Sequence, residues 1–216
     1  MPRKKSTPIK LALKEILKNK TYLYIDGTNL FAGQNELFGP NKRLSFDYLI
    51  KAIQQIIKID KIFFYASYMS EKNKIEPSLQ RKKLIAAEAL FYREVINTKN
   101  VTFYKGHRSR ASGKEKGVDV HLSVDIVKHA FLKECNKVIV MTGDADLIYP
   151  LEVAKNLNTP TCAFFLPNRF SLEMAYKVDC AYVFNFLDKF KTDRKLPKAL
   201  EVLTIKKPRT INIRGK

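Results

Sequence analysis

The feature that most constrains the fold of this chain is an alternation of short apolar, β-prone runs with segments whose apolar residues recur at helical spacing. Parallel strands need crossover connections, which are usually helices. The alternation therefore predicts an α/β domain, doubly wound into three layers around a mainly parallel central sheet. The predicted strands are residues 21–25, 61–68, 101–105, 137–142 and 161–166, and a short helix from Ser171 leads to a last run at 181–185.

Basic residues are concentrated at both ends of the chain. The sequence has 40 Lys and Arg against 21 Asp and Glu, a net charge of +19. Residues 1–20 contain seven Lys or Arg and one Glu, and residues 191–216 contain nine and two. Such a charge attracts polyanions, either nucleic acid or an anionic membrane surface. We predict a basic N-terminal helix or arm at 1–20, a folded domain at 21–190 and a basic C-terminal tail at 191–216.

The sequence argues against a membrane-spanning protein. No segment approaches the roughly 18 consecutive apolar residues of a membrane span, and the N-terminus lacks the apolar stretch of a secretory signal. Three cysteines, Cys135, Cys162 and Cys180, are far apart and lie in apolar surroundings. This usage favours buried thiols in a reducing compartment over a disulfide or a zinc site. We therefore expect a cytoplasmic protein.

Acidic residues directly follow two of the predicted strands. Asp26 follows the run 21–25, and Asp144 and Asp146 follow the run 137–142. Ligands of open α/β sheets bind outside the carboxyl ends of the strands. Asp119 is a third acidic position, at the start of the predicted helix that leads into the second of these strands. Each acid alone also fits a turn or a helix cap, but together they predict one site.

A convergence of aspartates predicts a bound cation. Carboxylates held together repel one another and are costly to desolvate, so a positive charge is needed among them. Oxygen ligands of this kind select Mg²⁺ or Mn²⁺. Magnesium takes one or two protein carboxylates and leaves positions for substrate phosphate, as in phosphoryl-transfer sites. A basic chain with an acidic pocket fits chemistry on a nucleic acid.

Two histidines and an aspartate share one face of the predicted helix 118–132. His121, Asp125 and His129 are four residues apart. No Glu follows His121 as in the H-E-x-x-H zinc motif, so ordinary hydrogen bonding by these histidines is the better interpretation. Asp125 is a second-tier site candidate. Its side chain points away from that of Asp119, because six residues correspond to about 600° of helical rotation.

Three segments together resemble a known family. YIDGTNL (24–30), KGVDVHLSVD (116–125) and TGDADLIYPLEVAKN (142–156) are similar, in this order, to the NYN domain, a branch of the PIN-like nuclease superfamily, and to its bacterial LabA-like members. The similarity spans roughly residues 21–188. It includes the stretch from Ser171 to Asp179, which resembles the closing helix and acidic position of the family. The resemblance implies a Rossmann-like, PIN-like three-layer sandwich and a metal-dependent ribonuclease.

The resemblance also implies roles for individual residues. Thr142 stands where the family often has Ser and keeps the hydroxyl, so it joins Asp125 in the second tier. Five residues match the catalytic positions, and the four aspartates among them also match the Mg²⁺ or Mn²⁺ ligands: Asp26, Asn29, Asp119, Asp144 and Asp146.

The expected substrate is RNA, single-stranded or structured. A water molecule activated at the metal site would hydrolyse the phosphodiester bond. Basic residues in the polar stretch before Asp119 are expected to follow the RNA backbone. These residues are Lys105, Arg108, Arg110, Lys114 and Lys116. A homo-oligomer is compatible with the sequence.

Two other enzyme classes do not fit the sequence. A phosphatase of the haloacid dehalogenase class is disfavoured, because Tyr24 stands where that class needs its nucleophilic aspartate. A dinucleotide-dependent oxidoreductase is disfavoured, because no G-x-G-x-x-G follows the first strand. Two alternatives stay open. One is a non-catalytic RNA-binding adaptor or regulator, and the other is a membrane-surface role for the amphipathic N-terminus.

Overall fold

The computed structural model describes residues 20–39, 42–68, 78–108, 115–185 and 201–206. The described strands are β1 Thr21–Asp26, β2 Lys61–Ala66, β3 Val101–Lys105, β4 His107–Arg108, β5 Glu115–Lys116, β6 Lys137–Met141, β7 Thr161–Phe165, β8 Cys180–Asn185 and β9 Glu201–Thr204. The described helices are α1 Gly27–Phe38, α2 Phe46–Gln54, α3 Leu79–Ile96, α4 Val118–Phe131, α5 Ile148–Asn156 and α6 Leu172–Lys177, with a 3₁₀ turn at Ala145–Leu147.

Seven of these strands form one mostly parallel sheet in the order β3-β2-β1-β6-β7-β8-β9. Within this order the six neighbouring strands β3, β2, β1, β6, β7 and β8 are parallel, and β9 is antiparallel to β8. This confirms the predicted α/β fold. The chain builds the sheet outward from β1 on one side and from β6 on the other, so the switch point lies between these two strands. Open α/β sheets form their ligand sites at that point.

The sheet is covered on both faces because side chains alternate along each strand. Leu23 and Ile25 of β1 face the core formed with α1, α2 and α3. Tyr22 and Tyr24 face the opposite core, formed with α4, α5 and α6. Serines cap three of the helices by accepting a hydrogen bond from the backbone N–H three residues later. These caps are Ser45 for α2, Ser78 for α3 and Ser171 for α6.

Four elements, one helix and three short strands, were not predicted from the sequence. Residues Gly27–Phe38 form a helix although they contain two glycines, which lower helix propensity. The polar stretch after β3 contributes the short antiparallel pair of β4 and β5. Strand β9 lies within the predicted C-terminal tail and adds an edge to the sheet beside β8. Residues 1–19 and 207–216 lie outside the described part, and the predicted domain boundaries stay a prediction.

The expectation that all three cysteines are buried thiols was wrong for two of them. Cys162 and Cys180 are bonded as a disulfide, with their Cα atoms 4.7 Å apart. They occupy partnered positions on the adjacent strands β7 and β8. Their spacing in the sequence does not reveal this pairing, because it follows from the register of the two strands. Cys135 is a buried free thiol, as expected.

No helix within the described residues is long and apolar enough to span a bilayer.

Candidate functional site

The first acidic residue is fixed by the way β1 passes into α1. Asp26 is the last residue of β1 and the N-cap of α1, and its Oδ1 accepts a hydrogen bond from the backbone N–H of Asn29 at 2.9 Å. Its Oδ2 accepts a hydrogen bond from the Thr142 hydroxyl at 3.1 Å. Only 5% of Asp26 is exposed. The carboxylate therefore has a fixed position and orientation at the switch point of the sheet.

The loop after β6 brings a second acid beside the first. The hydroxyl of Thr142, which donates to Asp26, accepts a hydrogen bond from the backbone N–H of Asp144 at 3.1 Å. Oδ1 of Asp144 in turn accepts from the backbone N–H of Asp146 at 3.0 Å. One hydroxyl thus ties the ends of β1 and β6 together. These two hydrogen bonds explain why residue 142, a second-tier site candidate, carries a hydroxyl group.

Asn29 and Gly143 hold the same two ends together from the other side. Oδ1 of Asn29 accepts a hydrogen bond from the backbone N–H of Gly143 at 3.3 Å. A Cβ atom on residue 143 would overlap the backbone carbonyl of Arg169, in the loop after β7. A glycine is therefore required for this close approach of two backbones. The side-chain amide of Asn29 therefore helps to fix the position of the loop that carries Asp144.

Asp119 reaches the site from the start of α4. Gly117, the residue that precedes α4, has a φ of 82°, a left-handed conformation that glycine adopts readily. Carboxylate oxygens of Asp26, Asp119 and Asp144 all lie within 4.8 Å of one another. Asp26 is buried, Asp144 is half-buried and Asp119 is exposed, so the group opens to solvent on one side. Three hard oxygen donors at this separation fit a divalent cation such as Mg²⁺ or Mn²⁺.

Burial and neighbouring negative charges raise the pKa values of two of these carboxylates, those of Asp26 and Asp119. Burial raises the pKa of Asp26 to about 7, and the neighbouring charge of Asp119 adds to this effect. Burial also raises the pKa of Asp119, with further contributions from Asp144, Glu115 and Asp146. Negative charge is therefore unfavourable here without a compensating positive charge. A divalent cation would supply that charge.

We expect the metal-free protein to lose stability as the pH rises towards 7. The folded state keeps the proton of Asp26 up to about pH 7, whereas the ordinary pKa of the group is 3.8. Between these values the folded state binds one more proton at Asp26 than the unfolded state, so the free energy of unfolding falls with increasing pH. Thermal melts in EDTA at about pH 5 and about pH 7.5 measure this slope. The Asp26→Asn variant should show a shallower slope, and an equal slope in both proteins would contradict the assignment.

Glu115 is a fourth acid near the site that the sequence did not single out. It lies in β5, and its Oε1 accepts a hydrogen bond from the Thr28 hydroxyl at 3.1 Å. Its charge contributes to the raised pKa values of both Asp26 and Asp119. The available signal was an isolated acid in a basic stretch, next to the segment that carries Asp119. Glu115 was not singled out because the residues on either side of it in the sequence are both lysines.

The remaining acidic candidates lie around the carboxylate group. Asp146 is exposed and close enough to raise the pKa of Asp119, but it is not one of the three acids within 4.8 Å. Asp125 accepts a hydrogen bond from the Tyr65 hydroxyl at 2.8 Å and contacts Lys128. Asp179 lies at the opposite edge of the sheet, where it accepts from the backbone N–H of Thr161 at 2.8 Å. Asp179 therefore has a structural role away from the site.

The two histidines of α4 make ordinary contacts. Nδ1 of His129 lies 2.8 Å from the Tyr24 hydroxyl, and the ring packs in the buried core. The ring of His121 stacks on that of Tyr104 with centroids 4.1 Å apart. Neither histidine belongs to the group of acids that could hold a metal ion.

The proposed RNA contacts are described only in part. Lys105 is exposed at the end of β3, on the carboxyl edge of the sheet, and its Nζ lies 5.0 Å from the centre of the Tyr68 ring. Lys116 is exposed in β5, three residues before Asp119. The backbone of Arg108 belongs to β4, but its side chain lies outside the description. Arg110 and Lys114 lie outside the described residues altogether.

Comparisons with known proteins agree with this fold. The model of the NYN domain family matches residues 20–184. No curated protein matches the chain. The crystal structure of a protein of unknown function from Vibrio parahaemolyticus is similar to this structure, with a TM-score of 0.55, 14% sequence identity, and coverage of 79% of this chain and 95% of that one. At this identity the likeness shows the fold alone.

Proposed function

We propose that this chain, which belongs to the NYN domain family of PIN-like nucleases, is a divalent-metal-dependent endoribonuclease. One observation carries the proposal: oxygens of Asp26, Asp119 and Asp144 lie within 4.8 Å of one another at the switch point of the sheet. Such a group is costly to build unless a cation compensates it. In a chain of net charge +19, the cation and the basic surface together favour a polyanionic substrate.

Asp26, Asp119 and Asp144 are the residues that would hold Mg²⁺ or Mn²⁺. The bound ion supplies Lewis-acid activation of water and neutralises phosphate charge. Deprotonation of Asp26, whose pKa is raised to about 7 by burial, accompanies binding of the cation. Metal affinity should therefore rise with pH up to this value and change little above it.

The neighbouring polar residues position the ligands. Thr142 holds one oxygen of Asp26 and the backbone of Asp144 at 3.1 Å each, and Asn29 fixes the intervening Gly143. Asp146 and Glu115 lie at the rim. From there each can accept a proton from an incoming water or orient it by a hydrogen bond. Asp125 accepts a hydrogen bond from Tyr65, so its role is to position α4 and not to contact the phosphate.

RNA is the proposed substrate, and the basic residues are its proposed contacts. Lys105 is exposed at the carboxyl edge of the sheet, where the site lies, and Lys116 is exposed three residues before Asp119. The predicted arms, residues 1–20 and 191–216, would add phosphate contacts by the same electrostatic mechanism. The cytoplasm is the proposed location because RNA is abundant there; the Cys162–Cys180 disulfide removes the support from reduced cysteines.

We expect loss of Lys105 and Lys116 to weaken RNA binding uniformly across sequences. Each lysine that contacts a phosphate of a single strand contributes about 0.7 to the slope of log Kobs against log salt, so the Lys105→Ala/Lys116→Ala variant should lower the slope by about 1.4. Fluorescence anisotropy over a salt series measures it. Lys58→Ala/Lys99→Ala is the matched control, since these exposed lysines lie at the opposite edge of the sheet. An equal change in both variants would refute these specific contacts.

The test of the proposed function is incubation of the wild-type protein with total RNA in Mg²⁺, Mn²⁺ or EDTA, followed by a denaturing gel. Cleavage that requires the divalent ion supports the nuclease. If the protein shifts RNA at moderate salt but does not cut it with any ion, the chain is an RNA-binding adaptor instead. If the protein cuts, the positions of the fragment ends give the cleavage specificity.

A further inference from the structure

An apolar groove lies between α4 and α5, on the face of the sheet that carries Asp119. It has a volume of about 590 Å³. We call it the α4–α5 groove. Its lining is dominated by side chains that are unusually exposed for their type: Val124 is 56% exposed, Phe131 68% and Tyr149 74%. Asp146 forms one end of the groove, next to the carboxylate group. A contiguous apolar surface of this kind normally has an occupant.

The chain enters the described structure close to this groove. The backbone N–H of Asn136 donates a hydrogen bond to the carbonyl of Lys20 at 2.8 Å. Asn136 follows the end of α4 by five residues, and Leu132, which lines the groove, lies between them. Three residues of extended chain span about 10 Å. The residues that precede Lys20 therefore start within reach of the groove.

The sequence before Lys20 has the pattern needed to fill an apolar groove. Five small or apolar residues recur at i, i+3, i+4, i+7 and i+8, the spacing of one helical face. They are Ile9, Ala12, Leu13, Ile16 and Leu17. Leu11 lies about 180° away from the centre of this face. A ten-residue helix is about 15 Å long, which suits a groove formed by two helices of nine and 14 residues.

Charge complementarity favours the same occupant. The segment of residues 8–17, here called the N-terminal segment, carries Lys10 and Lys14 beside its apolar face. The end of the groove carries Asp146, and Asp119 and Asp144 lie nearby. Lysines beside these carboxylates would gain favourable electrostatic energy. We propose that the N-terminal segment docks into the α4–α5 groove of its own chain and holds the basic N-terminus beside the acidic site.

The consequence for RNA is that the basic arm does not act as a free tail. Its lysines would extend the positive surface next to the carboxylate group, where the phosphate backbone has to approach. The docking itself does not depend on the proposed nuclease activity, because it rests on apolar contacts and on side-chain charges that are present without RNA or metal. It can therefore be tested without RNA or metal.

Hydrogen exchange of the full-length protein tests the docking. The Leu13→Asp/Ile16→Asp variant should release the N-terminal segment, so that amides of residues 123–132 and 146–150 exchange at least about tenfold faster, the factor that corresponds to burial of one such side chain. Leu11→Asp is the control, since it places a negative charge on the opposite side of the segment. It should exchange like the wild type.

A reciprocal variant tests the groove. Phe131→Asp changes an exposed residue, so the fold is retained. It should speed exchange in residues 8–17 as strongly as the double variant speeds exchange in the groove. Unchanged exchange in both variants would overturn the proposal. So would groove protection that increases with protein concentration, since the occupant is then a second copy. Binding of the segment to anionic vesicles, with unaltered groove exchange, would assign it to a membrane surface instead.

Discussion

We expect the Asp144→Asn variant to cleave RNA roughly 10⁴-fold more slowly than the wild type, the order of loss that follows replacement of a catalytic aspartate. Asparagine has the shape of aspartate, and its carbonyl oxygen can still accept the hydrogen bond from the backbone N–H of Asp146. The loop after β6 therefore keeps its conformation. The change removes one of three negative charges from the group that would hold the cation. Single-turnover cleavage of a labelled RNA measures the loss.

The matched control is Asp47→Asn. Asp47 is an exposed aspartate in the first turn of α2, where it pairs with Lys51, and it lies beside Asp60 and Asn100 at the opposite edge of the sheet. This variant should cut at the wild-type rate. RNA binding by Asp144→Asn should persist, because its basic residues are unchanged. Equal cleavage by the Asp144→Asn and wild-type proteins would remove this carboxylate from the mechanism.

Among substitutions that affect stability, we expect Gly27→Ala to lower the free energy of unfolding the most. Gly27 follows Asp26 at the start of α1, and a Cβ atom there would overlap the ring of Phe64, which is fully buried. Phe64 packs against Phe46 and Phe103, so its ring can shift only by displacing other core side chains. Overpacking of this kind costs about 3 kcal/mol, or roughly 6–12 °C in Tm for a chain of this length.

Gly33→Ala in the same helix is the control for this variant. A Cβ at residue 33 would lie 2.7 Å from Cδ1 of Leu166 and 2.9 Å from Cγ of Arg169, which are side-chain atoms that can shift. Alanine also gains about 1 kcal/mol of helix propensity over glycine, which offsets the crowding. Thermal melts should show a small change for Gly33→Ala and a large one for Gly27→Ala. Similar melting of both would mean that Gly27 is not selected for its contact with Phe64.

The architecture could be predicted from the sequence because its signals are local. Each central strand is an apolar run, and the segments at 46–58 and 118–132 show helical periodicity. Helix α1 was not predicted, because its two glycines and polar residues weaken the pattern. Its formation depends on the Asp26 cap and on burial of Leu30 and Phe31 against the sheet. Tertiary packing outweighed propensity there.

The place of the acidic residues in the fold was also predictable, because it depends on local features of the sequence. Asp26 and Asp144 stand directly after strands, so their place at the carboxyl edge follows from sequence order and the rule for open sheets. The sequence also pointed to Asp119 through its resemblance to the NYN domain. It could not distinguish which three of the four aspartates approach one another. Nor did it indicate Glu115, which reaches the site through the short strand β5 and a bond to Thr28.

The sequence by itself determined the α/β fold, the NYN family and the chemical type of the site, since these follow from periodicity, strand-end residues and motif order. The tertiary structure alone decided which distant side chains meet. It placed Asp119 with Asp26 and Asp144, paired Cys162 with Cys180 across β7 and β8, and opened the α4–α5 groove. Such contacts depend on strand register and on the angle at which helices cross the sheet. Neither quantity is encoded in the spacing of residues along the chain.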